Sequence, residues 1–444
     1  MKRLPTWFEI LGLAWPIILA NMATPLLGLT DTAVIGNVGT AVDLGAIALG
    51  SVVFSFVFWT FSFLRMGTTG FVAQADGAND ELEIRLSLGR ALILAGLIGV
   101  AILGLQLPIT WLMFPLFDAS EAVDAVAKDY FFIRIWGAPA SLSNFALMGL
   151  LIGLGKSRHL LALQLLLNGL NIALDVFLGG VLKWGVVGIA WGTVFSEWIV
   201  SLVSLAIILR MLKQRHRHQS QPTPFWTWKR LRESQQLLAT ISANRDILLR
   251  TLFLLIGFGW FTRQGAQFGD ELLAANHILL QLIFFSAFFL DGFAYVTESM
   301  IGKAVGRKDL AEFNHVFRRT TELSALTALA IAVLVAIPGA WAIQALSEQK
   351  AVVNLALDYR FLTAVYVFLS FAAYQLDGVF IGATKGPEMR NASAISLIIF
   401  LIAWWLGKES GNAGLWVAFT IYVVARAVTL AVQIPKLRAS ISAN

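Results

Sequence analysis

The residues best suited to do chemistry are acids that lie within long apolar stretches of the chain. Asp31 ends one such stretch, and Asp175 lies near the end of another. A charged side chain at bilayer depth costs about 2.5–3.5 kcal/mol on insertion scales, so each acid is by default a candidate functional residue. Two carboxylates that are close together in a medium of low dielectric resist being ionised at the same time. Such a pair could pick up and release protons, or could bind a sodium ion with nearby amide oxygens.

Most of the other polar side chains recur at spacings of three and four residues, which place them on one face of their helix, whereas Asn144 lies on a separate predicted helix close to Pro139. Those in the first half of the chain are Asn21, Thr24, Asn144, Asn168, Asn171, Thr193 and Glu197. Because an unsatisfied polar group that faces lipid costs several kcal/mol, these side chains most simply line one polar cavity. The alternative is hydrogen bonding between helices with no further role, and Glu197 could pair with an arginine instead.

The second half of the chain carries polar stripes of its own. Asp291, Tyr295 and Glu298 share one helical face, and Tyr374 and Asp377 share another. From the polar stripes of both halves together we take seven residues as candidates for a substrate cavity. They are Asn21, Thr24, Glu197, Tyr295, Glu298, Tyr374 and Asp377. Arginines within the apolar stretches, Arg134 and Arg250 among them, offer several of these acids a purely structural partner.

The elements that must position these residues are membrane-spanning helices. Of the 444 residues, 58% are hydrophobic and only 14% are charged, against about 25% in soluble domains. A spanning helix needs about 20 mostly apolar residues. Roughly twelve such stretches are present, near 7–33, 46–68, 88–108, 127–152, 159–180, 185–211, 245–268, 272–301, 319–341, 355–382, 390–406 and 412–434. The sequence predicts an all-α polytopic membrane protein, and the absence of Cys excludes disulfides and cysteine-ligated metals.

The distribution of Lys and Arg predicts the orientation of the chain. Basic residues gather in the loops on the side of the N-terminus, which the positive-inside rule assigns to the cytoplasm, so both termini are expected there. The net charge of +6 reflects this bias, and we expect no nucleic-acid partner. The longest polar connection, 213–244, is basic and contains Pro222 and Pro224. We interpret it as a cytoplasmic linker, with a solvated role or a contact with lipid headgroups.

The two halves resemble each other at a constant shift of 229 residues. Asp80 matches Asp309, and Gly149–Lys156 matches Gly378–Lys385. An even number of helices in each half makes this a parallel repeat, with a binding site expected near the midplane and transport by alternating access. The predicted domains are an N-terminal six-helix bundle over 1–212, the linker 213–244 and a C-terminal six-helix bundle over 245–444.

Several of these segments together resemble the multidrug and toxic compound extrusion (MATE) family, most closely its DNA-damage-inducible protein F branch. The resemblance is carried by Trp15-Pro16, by Asp31-Thr-Ala-Val-Ile-Gly36 and by the repeated endings at Gly153 and Gly382, and it covers essentially the whole chain. It implies a V-shaped pair of bundles and a cation-coupled antiporter that exports bulky, amphipathic or cationic organic compounds.

The resemblance also implies roles for particular residues. The family's coupling site lies in the N-terminal bundle, where the matching positions are Asp31, Asn144, Asn171, Asp175 and Thr193. Pro16 matches a proline at which the first helix is proposed to bend. Another branch also uses acids in the seventh and tenth helices. Asp377 fits the tenth-helix acid, but the seventh helix has no carboxylate between Arg250 and Gln267. This departure favours proton over sodium coupling.

Several alternatives remain open at this point. Sodium could replace the proton at Asp31 and Asp175. A flippase for lipid-linked precursors would share the fold, although the conspicuous membrane charges of the first half are acidic rather than basic. No motif of a membrane-embedded enzyme is visible. We expect a monomeric, multi-pass protein of the bacterial inner membrane that contacts lipid, with no cofactor and with no metal apart from the coupling ion.

Overall fold

The computed structural model describes residues 4–117, 119–217, 224–231 and 233–442. Within these residues the protein is helical throughout and contains no β-strand, which confirms the predicted all-α class. Nine helical runs among them are long and apolar enough to cross a membrane, and the last run, Gly386–Ser442, contains more than one helix. Each of the predicted apolar stretches corresponds to at least one helix. The chain is therefore a multi-pass membrane protein.

The helices of the first part of the chain end near residue 231. They are α1 (Trp7–Met22), α2 (Thr24–Val38), α3 (Ala41–Thr60), α4 (Phe63–Gly77), α5 (Glu81–Gly104), α6 (Gln106–Met113), α7 (Glu121–Arg134), α8 (Ala138–Gly153), α9 (Ser157–Leu174), α10 (Gly185–Arg217) and α11 (Trp228–Leu231). A seven-residue π-helical segment, Asp175–Val181, continues α9.

The helices of the second part are fewer and longer. They are α12 (Ser234–Ala266), α13 (Asp270–Gly306), α14 (Leu310–Ala336), α15 (Gly339–Leu346), α16 (Lys350–Gly382), α17 (Gly386–Gly407), α18 (Gly411–Ala431) and α19 (Ile434–Ser442). Helices α10 and α12 reach into the predicted linker 213–244 from both sides. The predicted linker is therefore shorter than its polar composition suggested, because polar helix ends extend past the apolar spans. Its residues 218–223 and 232 lie outside the described part.

The first apolar stretch consists of two helices. Helix α1 runs through Pro16, and the interruption falls at Ala23, after which α2 begins with Pro25 in its first turn. A proline is tolerated there because the first N–H groups of a helix have no intrahelical acceptor. The interruption in this structure thus lies next to Pro25, and the bend expected at Pro16 stays a prediction.

The described residues form two compact units. The N-terminal unit is Leu19–Thr240, and the C-terminal unit combines Met1–Ile18 with Ile241–Asn444. This grouping differs from the predicted domain 1–212, because most of α1 packs against helices of the second half. Gly292 of α13 contacts α1 closely, since a Cβ at Gly292 would overlap the side chain of Ile18.

The repeat is visible in the helix contacts of each unit. In the N-terminal unit a Cβ at Gly149 would lie 2.5 Å from the carbonyl oxygen of Arg65. In the C-terminal unit a Cβ at Gly378 would lie 2.6 Å from the carbonyl oxygen of Ala294. The shift of 229 residues relates Gly149 to Gly378, and it also relates Arg65 to Ala294. Glycine is required at both places because the neighbouring backbone leaves no room for a side chain.

The connections that follow also repeat. Asn79 and Lys308 have left-handed backbones, with φ of 58° and 57°. The next residues, Asp80 and Asp309, cap α5 and α14 by accepting hydrogen bonds from backbone N–H groups at 2.9 and 2.8 Å. These matches in geometry support the duplication that the sequence indicated.

Candidate functional site

The two acids of the first half meet inside the N-terminal unit. Asp31 lies on α2 and is half-buried, and Asp175 lies where α9 passes into the π-helical segment and is fully buried. Their carboxyl groups lie within hydrogen-bonding reach of each other. Short π-helical segments inside membrane and globular helices are frequent at functional sites, since they re-aim a side chain.

No N–H or O–H group among the described residues donates to either oxygen of Asp175 or to Oδ1 of Asp31. A buried carboxylate without a donor is costly, and two such groups that face each other are more so. A single proton held between Asp31 and Asp175 would supply the missing donor. The geometry therefore suits a group that binds one proton and can lose it.

The neighbouring side chains are organised around Asp175. Asn171, one turn earlier on α9, donates from Nδ2 to Oγ1 of Thr193 at 3.0 Å, and Thr193 donates to the carbonyl of Ile189 at 3.0 Å. Gly192, next to Thr193 on α10, makes room for the acid, because a Cβ there would overlap the Asp175 carboxyl. The structure thus brings Asp31, Asp175, Asn171 and Thr193 together.

Asn144 takes a different place from the other candidates. Its Nδ2 donates to the backbone carbonyl of Glu197 at 3.3 Å, so it fastens α8 to α10. Glu197 itself accepts a hydrogen bond from Arg134 at 2.9 Å, in an ion pair whose side chains are 15% and 11% exposed. The pairing of Glu197 with an arginine, one of the two options open from the sequence, is the arrangement that the structure shows.

The remaining candidates of the N-terminal unit lie near the break of the first stretch. Asn21 is half-buried, and its Nδ2 has no hydrogen-bond partner among the described atoms. The backbone of Thr24 begins α2, but its side chain lies outside the described residues. A cavity of about 640 Å³ opens beside the acids, between α2 and α9, and is lined by Thr30, Ala33, Val34, Asn37, Val38, Ile172, Val176 and Gly180.

The candidates of the C-terminal unit do not reproduce an acid pair. Asp377 forms ion pairs with Arg250 and, at 3.4 Å, with Arg426, and all three side chains are buried. The guanidinium of Arg426 also lies 5.8 Å from the ring centre of Tyr374. Two cations therefore compensate Asp377, which leaves this acid poorly suited to bind a coupling cation.

Tyr295 and Glu298 lie on α13 in the same unit. Tyr295 is half-buried and Glu298 is fully buried. At the shift of 229 residues the position of Asp31 is taken by Trp260, so the second half has no counterpart of the N-terminal acid.

Two residues that contribute to the site were missed as members of it. Tyr130 and Arg134 lie one turn apart on α7, and the Arg134 guanidinium lies beside the Tyr130 hydroxyl. The charge of Arg134 acts on both Asp31 and Asp175. The four-residue spacing of Tyr130 and Arg134 was available in the sequence, but nothing there showed that this face of α7 approaches the acids.

The site could hold a metal ion only with mixed ligands. Among the described residues no three His, Asp or Glu side chains gather as a metal site. A sodium ion at Asp31 and Asp175 would have to complete its shell with the oxygens of Asn171 and Thr193 or with backbone carbonyls.

Comparison with known proteins gives a consistent result. The profile of the MatE family matches residues 16–177 and 249–406. The chain is 37% identical over 421 residues to DNA damage-inducible protein F of Escherichia coli (strain K12). The aligned residues cover 94% of this chain and 90% of that protein. It is 28% identical over 440 residues to a probable multidrug resistance protein NorM of Synechococcus sp., with 94% and 90% covered. A solved outward-facing multidrug resistance MATE family transporter of the MOP superfamily has the same fold, with a TM-score of 0.85 at 20% identity over 98% of this chain and 95% of that chain.

Proposed function

The chain belongs to the MatE family of transporters, and from this premise we propose that it is a proton-coupled antiporter. In this proposal it exports bulky, amphipathic or cationic organic compounds by alternating access across the bacterial inner membrane. Sequence relatives carry names such as probable multidrug resistance protein, which supports the substrate class. The cytoplasmic placement of both termini rests on the distribution of Lys and Arg.

The observation that carries the proposal is the buried meeting of Asp31 and Asp175. One proton satisfies both carboxyls, whereas its loss leaves two negative charges in a medium of low dielectric. Binding and release of this proton therefore change the electrostatic free energy of the acid pair, and a proton gradient can drive transport through that change. A cationic substrate that enters the N-terminal unit would be attracted to the deprotonated pair, and this attraction would weaken when the pair binds a proton.

Proton binding affects the backbone through the position of the two acids. Asp31 lies on α2, which starts just after the break at Ala23, and Asp175 lies at the start of the π-helical segment. A bond between the carboxyls ties these two elements together, and its loss releases them. This gives the proton a differential effect on two arrangements of the same helices, as coupling requires.

The C-terminal unit contributes no second coupling site in this proposal. Asp377 is held by Arg250 and Arg426, and Trp260 stands where the repeat would place the counterpart of Asp31. Coupling is accordingly asymmetric and belongs to the N-terminal unit.

The test is transport in proteoliposomes with a fluorescent organic cation and an imposed pH gradient. We expect the parent protein to export the cation, and Asp31→Asn and Asp175→Asn to lose at least tenfold in gradient-driven rate. Asp129→Asn, an exposed acid on α7, is the matched control and should transport like the parent. Export by Asp31→Asn at the parent's rate would contradict the assignment of the acid pair.

The same vesicles separate the alternatives. Export that follows a sodium gradient and ignores the pH gradient would replace the proton by sodium. Movement of a lipid-linked pyrophosphate probe, with no export of the cation, would favour the flippase. Neither result is expected, because three acids, Asp31, Asp175 and Glu197, and one arginine, Arg134, gather at the site of the N-terminal unit.

A further inference from the structure

A buried ion pair lies beside the acids and takes no part in the proton-binding bond itself. Arg134 of α7 donates to Oε1 of Glu197 of α10 at 2.9 Å. The guanidinium also lies 4.9 Å from the ring centre of Phe54 on α3. A Cβ at Gly137 would overlap the Glu197 carboxyl, so the chain keeps a glycine where this carboxyl needs space. The pair is thus firmly held between three helices.

The pair communicates with the acids through its charge. Arg134 acts electrostatically on both Asp31 and Asp175, and it lies beside Tyr130, a buried side chain whose hydroxyl lies in the field of Asp31. Glu197 lies one turn after Thr193 on α10, and Thr193 accepts the hydrogen bond from Asn171, so the ion pair is adjacent to the polar side chains around Asp175. The charged and titratable groups here come from four elements. They are Asp31 from α2, Tyr130 and Arg134 from α7, Asp175 from the π-helical segment and Glu197 from α10.

We propose that Arg134, held in place by Glu197, is the specificity-determining residue that makes the acid pair a proton site rather than a sodium site. This inference rests on the proposed function and concerns only which cation the pair accepts. Arg134 is a positioning residue in this role, since it touches neither the proton nor the substrate.

The physical reason is the difference between the two cations. A sodium ion between Asp31 and Asp175 would stay a full positive charge with its own ligand shell, in the field of the fixed guanidinium and in a medium of low dielectric. A proton forms a covalent O–H bond with one carboxyl and needs no shell. The charge on Arg134 disfavours both cations, but the proton alone gains the hydrogen bond that the buried carboxyls otherwise lack.

The test removes the ion pair as a unit. In Arg134→Gln/Glu197→Gln no unpaired charge is left, so the change is less disruptive than either single truncation. We expect the double variant to gain sodium-driven export, or sodium inhibition of proton-driven export, at concentrations roughly tenfold to a hundredfold below any effect on the parent. The matched control is Arg90→Gln/Glu83→Gln, another ion pair of the same unit with N–O distances of 2.6 and 3.1 Å, and it should stay indifferent to sodium.

The outcomes distinguish this inference from the proposed function. If the parent exports under a pH gradient and the folded double variant ignores sodium as the parent does, the inference is overturned and the proposed function stands. If the parent itself follows the sodium gradient, both fail.

A second variant decides the matter should the double variant not fold. Glu197→Gln leaves the charge of Arg134 uncompensated beside the acids. We expect the pH of half-maximal export to fall in this variant, since the acids then bind the proton less tightly. An unchanged pH profile would overturn the inference. A purely structural role for the pair would lower the amount of folded protein without moving that profile.

Discussion

The replacement Gly192→Ala tests the packing of the proton site without changing any charge. A Cβ at this position would overlap an oxygen of the Asp175 carboxyl, and it would lie 3.1 Å from the Asp175 backbone nitrogen and 3.2 Å from the carbonyl carbon of Leu174. The backbone atoms cannot rotate away, so the acid and the π-helical segment must shift. The variant therefore displaces one member of the acid pair and leaves both acids in the chain.

The expected magnitudes follow from two opposed effects. Over-packing of a tight contact costs about 1–3 kcal/mol. Alanine recovers roughly 1 kcal/mol relative to glycine within a helix. A net loss of at most about 2 kcal/mol leaves the protein folded, whereas the loss of about 1.4 kcal/mol or more from the bond between the acids lowers a coupled rate tenfold or more.

Two measurements on the same preparation check this prediction. The first is the initial rate of organic-cation export in proteoliposomes under a fixed pH gradient, and the second is thermal unfolding in detergent. Gly169→Ala is the matched control, because it lies on α9 and a Cβ there would meet nothing within 4 Å. We expect Gly192→Ala to lose at least tenfold in export with a small change in stability. Equal export by Gly192→Ala and the parent, or an equal loss in both alanine variants, would show that the close packing of Gly192 against Asp175 does not matter for export.

Three further predictions concern the framework. Thr384 has a left-handed backbone with φ of 53°, which glycine adopts at lower cost, so Thr384→Gly should raise the free energy of unfolding by about 1 kcal/mol. Denaturation in detergent measures this change, and a lower stability would contradict the strain assigned to Thr384. Gly378→Ala should destabilise the protein by about 1–3 kcal/mol or prevent folding, since its Cβ would lie 2.6 Å from the Ala294 carbonyl oxygen; parent-like yield and melting temperature would refute this close contact. Asp246 is 1% exposed and accepts from Arg390 at 2.8 Å, so Asp246→Asn should cost about 1.5–3 kcal/mol, and an unchanged melting temperature would show that the pair contributes nothing.

Much of the fold was predictable because the lengths of the apolar stretches and the register of the repeat can be determined from the sequence alone. The matching of Asp80 with Asp309 predicted equivalent connections, and the structure places equivalent helix caps there. The position of the helix break was less accessible. Pro16 and Pro25 are both compatible with an interruption, and the structure shows it at Ala23, between α1 and α2.

The candidate site was predictable in its acids and less so in its surroundings. Asp31 and Asp175 could be found because an acid within an apolar stretch is costly and demands a reason. The approach of Arg134 depends on how α7 packs against its neighbours, which the pattern of one helix does not contain. Likewise, the amino-acid composition of the π-helical segment does not distinguish it from an ordinary α-helical turn.

The most direct test measures how many protons the protein releases when the substrate binds. Purified protein in weakly buffered detergent solution would be mixed with the fluorescent organic cation, and the change in pH recorded. We expect the parent and Asp129→Asn to release protons on binding, and Asp31→Asn and Asp175→Asn to bind the cation with little or no release. Release of as many protons by Asp31→Asn as by the parent would contradict the claim that the acid pair of the N-terminal unit carries the coupling.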